Sequence, residues 1–140
     1  MAINVGRVVG GGIIAGIVMN ALDAVWGMFV MKADYEAMAV KFGQDPGVMQ
    51  TFSGMMPWIL ADFIFGLLVV WTYAGLRPRF GPGIQTALVA AFVPMIAITT
   101  IMYGMMSMGA MPAALWAKSS MLGLITFAAG GIAGGWFYKE

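Results

Sequence analysis

The sequence predicts an all-α polytopic membrane protein, with four transmembrane helices in an antiparallel bundle. Three observations lead there. Hydrophobic residues make up 61% of the 140 positions and charged ones only 9%, too little polar surface to cover a water-soluble domain of this size. The apolar residues fall into four runs of about 20 or more, long enough to cross a ~30 Å hydrocarbon core. The runs are continuous rather than alternating, which argues against a membrane β-barrel and leaves helices as the way to satisfy the backbone in lipid.

The four spans are expected at 8–31, 57–76, 83–106 and 112–138, forming one domain over residues 1–140. Arg7 precedes the first apolar run as in a signal peptide, but an uncleaved anchor is the expected form. Between the first two spans, Tyr35, Met38, Ala39 and Phe42 recur at helical spacing while Asp34, Glu36 and Lys41 point elsewhere. This predicts a short amphipathic helix on the membrane surface or over the bundle. Gly43-Gln44-Asp45-Pro46-Gly47 ends it. The second and third spans are joined by Arg77-Pro78-Arg79-Phe80-Gly81-Pro82-Gly83, a connector whose prolines and glycines make those helices antiparallel neighbours. Arg7, Arg77, Arg79 and Lys139 share one side, against Lys32 and Lys41 on the other, so both termini are expected in the cytoplasm. Trp58, Trp116 and Trp136, near span ends, suit interfacial anchoring.

Small residues mark the faces on which the spans meet. Gly12, Gly16, Asn20, Asp23 and Gly27 share one stripe of the first span, and Ser119, Gly123, Thr126, Gly130 and Gly134 one stripe of the fourth. Asp62 and Gly66 do the same more briefly in the second. Such stripes bring helix backbones close, within one chain or between copies.

Charges inside the apolar runs are the candidate site. At 1.5 Å per residue, Asp23 lies about 12 Å from the end of its span, Asp62 about 8 Å and Lys118 about 9 Å inside theirs. Successive spans reverse direction, so all three belong to one leaflet, with Asn20, Thr99, Tyr103 and Ser119 near them. A charge in hydrocarbon costs roughly 2.5–3.5 kcal/mol on insertion scales. Lys118 could neutralise one aspartate, Asp23 and Asp62 could carry protons or a hard cation, or the cluster could meet a partner.

The chain has no cysteine and no histidine, which removes disulfides, thiolate sites and the Ser-His-Asp arrangement. With no nucleophile–base pair or phosphate loop, enzymatic activity and cofactors are not expected, and no basic run points to nucleic acid. Eleven of the 15 methionines fall in the outer loops or adjoining span ends: Met28, Met31, Met38, Met49, Met55, Met56, Met102, Met105, Met106, Met108 and Met111. Thioethers suit Cu(I), though methionine is also a flexible filler.

Trp71-Thr72-Tyr73-Ala74 with the connector 77–83, the Asn20–Asp23 pair and the closing Gly135-Trp136-Phe137-Tyr138 resemble a group of small four-span bacterial membrane proteins of unknown function. The resemblance implies four helices and a bacterial inner membrane. The leading expectation is an accessory or structural subunit that packs with itself or a larger membrane complex in the lipid bilayer. The alternatives are an oligomeric proton- or cation-conducting unit using Asp23 and Asp62, and Cu(I) handling by the outer methionines.

Overall fold

The computed structural model describes residues 3–138, so Lys139, used above for orientation, lies outside the described residues. The described residues form helices α1 (Val5–Val25), α2 (Lys32–Lys41), α3 (Phe52–Phe80), α4 (Ile84–Ser107) and α5 (Ala113–Phe137). Four of them, α1 with its extension to Val30, α3, α4 and α5, are long and apolar enough to cross a membrane, and they suggest a helical membrane bundle. α1 packs on α3 and α5, α4 also packs on α3 and α5, and α3 touches α5 across the middle. α1 and α4 therefore occupy opposite corners.

Local chemistry sets the ends. Asn4 caps α1 by accepting the Arg7 N–H (3.1 Å), and Thr51 caps α3 by accepting the Gly54 N–H (3.1 Å). α3 extends beyond the expected 57–76 at both ends, because Pro57 and Pro78 are absorbed into it rather than bounding it. Gly81 at φ 80° and Gly83 at φ 142° make the turn, so the connector is shorter than the sequence implied. α1 ends in a π-helical turn, Trp26–Val30, closed by Met31 N–H donating to the Trp26 carbonyl (2.8 Å). The extra residue per turn re-aims the chain directly into α2.

The glycine faces are consumed within the chain in the half of the bundle that holds the termini. A Cβ on Gly66 would stand 2.5 Å from the Gly12 carbonyl oxygen and 2.7 Å from the Gly16 nitrogen. Gly12 lies against Leu67 and Gly16 against Phe63, so α1 and α3 approach backbone to backbone. On α5 two glycine doublets serve two neighbours. Gly130 and Gly134 face Met19 and the Gly11 carbonyl on α1, whereas Gly131 and Gly135 face Ala91 and Ala87 on α4. Adjacent helix positions point about 100° apart at 3.6 residues per turn, which lets one doublet meet two corners. Gly27 and Gly123 depart from the expected stripes, since a Cβ on either would meet nothing within 4 Å. The π turn takes Gly27 out of helical register.

The same end is tied by aromatics. The Tyr138 hydroxyl accepts the Asn4 N–H (3.4 Å), and the Tyr73 hydroxyl accepts the Gly83 N–H (3.3 Å). The two rings meet edge to face at 6.0 Å, and the Arg77 guanidinium lies 5.8 Å from the Tyr138 ring centre. Sequence-distant segments singled out above thus meet at one place.

The opposite end is closed differently. α2 lies over it, with Ala39 buried and Tyr35 and Met38 packed on Met31, Met111 and Leu115. Phe42, expected on that buried stripe, is exposed. The Lys41 ammonium donates to the Gly109 carbonyl. Trp116 packs against this cluster and donates to the Thr99 carbonyl (3.3 Å). Trp58 and Trp136 are exposed.

Gly66→Ala should push α1 off α3 and destabilise the bundle by about 1–3 kcal/mol. Gly123→Ala, whose added methyl meets nothing, should cost nothing measurable. Thermal unfolding of both variants in the same detergent checks the contrast.

Candidate functional site

The polar centre lies on the side of the glycine contacts away from the termini. On α1, Asp23 shares the inward stripe of Gly12 and Gly16, and its carboxylate accepts the Thr126 hydroxyl of α5 (2.8 Å). The Trp26 indole N–H donates to the same hydroxyl oxygen (3.1 Å), and Thr126 is 1% exposed. Trp26, Thr126 and Asp23 therefore form one hydrogen-bonded chain between α1 and α5. One turn toward the termini, the Asn20 amide donates to the Gly16 carbonyl (2.9 Å) and across to the Ile59 carbonyl of α3 (3.3 Å).

Asp62 on α3 lies within electrostatic reach of Asp23. From above, Tyr35 of α2 reaches the same region, beside Ser119 and within electrostatic reach of Asp23, Asp34 and Asp62. Burial first, and then those negative charges, hold the Tyr35 phenol above its ordinary range, with the Ser119 hydroxyl opposing. Asp23 is exposed even though its carboxylate reaches the buried Thr126 hydroxyl.

Lys118 does not join the aspartates. Its ammonium bonds the Asp34 carboxylate of α2 at 2.6 Å, so the expected neutralisation of Asp23 or Asp62 by Lys118 is replaced by a lid-to-bundle ion pair. The physical reason is position. Lys118 lies in the second turn of α5, level with α2, and the nearer carboxylate takes it. Among the described residues, neither Asp23 nor Asp62 has a cationic partner. Thr99 and Tyr103 do not join either, because α4 holds the corner opposite α1. The Thr99 carbonyl and the Tyr103 ring (5.6 Å) both serve Trp116. Ser119 does come close, through Tyr35, and also donates to the Met31 sulfur (3.5 Å).

Three participants escaped the sequence reading as site residues. Thr126 was visible as a member of the α5 stripe. Trp26 and Tyr35 carried no such signal, since their roles depend on the π turn and on α2 folding over the bundle. Among the described residues no three Asp, Glu, His or Cys side chains are grouped to hold a metal. A groove of about 180 Å³ between α3 and α4, lined by Leu76, Phe80, Gln85, Thr86 and Val89, contains no titratable side chain. No protein-family model matches the chain, no curated protein matches it, and no solved structure matches it.

Thr126→Val keeps the volume but leaves the Trp26 donor and the Asp23 carboxylate without their shared partner. It should cost about 1–3 kcal/mol. Lys118→Met removes a half-exposed ion pair and should cost only about 0–1 kcal/mol. Unfolding midpoints of the two variants measured side by side check the order; a larger loss for Lys118→Met would contradict it.

Proposed function

We propose that the chain is a small integral membrane protein of a bacterial inner membrane, with both termini and the α3–α4 turn in the cytoplasm. On this reading it is an accessory or structural subunit that packs with itself or with a larger membrane complex. One observation supports it above the others: the outer halves of α1 and α3 bury no residue within the chain. From Asn20 to Val30 and from Phe52 to Phe65 no position is buried, while Met28, Phe29 and Trp58 stand outward, Phe29 at 80% exposure. The inner halves of the same helices are packed backbone to backbone. An unsealed outer half, with Gly27 free to accept a close approach, is where another helix would complete the packing.

Extraction in mild detergent followed by native mass measurement should give an assembly heavier than the 14.9 kDa chain, and Gly27→Leu should reduce it. A wild-type protein that is monomeric throughout overturns the subunit reading.

A second reading, conduction of protons or a cation in an oligomer, is favoured by a separate observation. Asp23 and Asp62 lie within electrostatic reach of each other, keep accessible surface and have no cationic partner among the described residues. Intramembrane carboxylates in that condition are usual components of proton and ion paths. Proteoliposomes should then show a pH- or cation-gradient flux that Asp23→Asn and Asp62→Asn each abolish. Flux equal to that of empty vesicles rejects conduction.

A further inference from the structure

Methionine is unevenly distributed through the interior. The two packed clusters nearer the termini contain Met19 and Met95 and otherwise use aliphatic and aromatic side chains. The outer cluster gathers Met31, Met38, Met102, Met106 and Met111. These come from the α1–α2 junction, α2, the end of α4 and the loop before α5, so only the tertiary fold brings them together. We propose that this cluster is a thioether site for a soft monovalent cation, Cu(I) or Ag(I).

Four features carry the assignment. Thioethers are neutral, soft ligands that select Cu(I) over hard divalent ions. The chain has no cysteine or histidine to favour zinc. Ser119 donates to the Met31 sulfur at 3.5 Å, which orients the thioether while leaving it a second lone pair. Trp26, Tyr35 and Trp116 pack in the same cluster, and aromatic rings attract a cation although they carry no charge. The competing account is that methionine simply fills irregular space. Leu115 and Leu122 fill space in the same cluster without sulfur, which makes leucine the appropriate replacement. This assignment is independent of the assembly reading.

The test uses the purified full-length protein in detergent, without oxygen, with Cu(I) competed by bicinchoninate. Wild type should withdraw Cu(I) from the chelator and ignore Zn(II). X-ray absorption of the loaded protein should show sulfur neighbours. Met31→Leu combined with Met111→Leu should abolish retention with helical content unchanged. Ser119→Ala should weaken binding about tenfold. Met121→Leu, on an exposed face outside the cluster, should bind as wild type. No competition by wild type, a shell of oxygen or nitrogen alone, or full retention by the double variant overturns the proposal. The absorption measurement decides the matter even if the double variant fails to fold.

Discussion

The contact of Gly66 with the Gly12 and Gly16 backbone governs this structure. Lipid offers apolar side chains no advantage in burying themselves against one another, so helices in a bilayer associate where their surfaces fit closely. A glycine facing a glycine backbone permits the closest fit. Once α1 and α3 are clamped there, the doublets of α5 can meet α1 and α4 together, and one half of the bundle closes. The other half contains no equivalent seam. There α2 and bulky methionine, tryptophan and leucine side chains pack together instead.

This asymmetry places the polar residues. Asp23 and Asp62 lie just past the glycine seam, where neither is buried but the neighbouring side chains are largely apolar. A carboxylate there needs a proton, a cation or strong donors. The hydrogen-bonded chain from Trp26 through Thr126 supplies one donor to Asp23. The basic residue best placed by depth, Lys118, is held by Asp34, and the acidic pair remains without a counter-ion among the described residues. α2 therefore has two electrostatic effects: it takes away the cation and brings the Tyr35 phenol toward the pair.

Sequence reading and structure separate at identifiable residues. Gly12, Gly16, Gly66, Gly130 and Gly134 were legible, because a step of four along a helix returns to the same face whatever its neighbours are. Gly131 and Gly135 were not singled out as packing residues, because the second member of each doublet only has meaning once a third helix is present. Gly27 obeyed the periodicity and yet packs on nothing, since the π turn breaks the register on which the periodicity rests. Pro57 and Pro78 read as boundaries and became helix interior, each within two turns of an end of α3, where the lost N–H interrupts only a terminal stretch of the hydrogen-bond ladder.

The sequence by itself determined the helical class and the number of long apolar segments, since composition and the length of each apolar run decide these locally. Which groups at equal depth would meet was decided only by the tertiary structure. Depth is one coordinate, and the other two come from which corner each helix occupies and how it is rotated. Asp23 finds Thr126 because α1 adjoins α5. Thr99 and Tyr103 miss it because α4 stands diagonally opposite, and Lys118 turns to α2 because a nearer charge lowers its energy more.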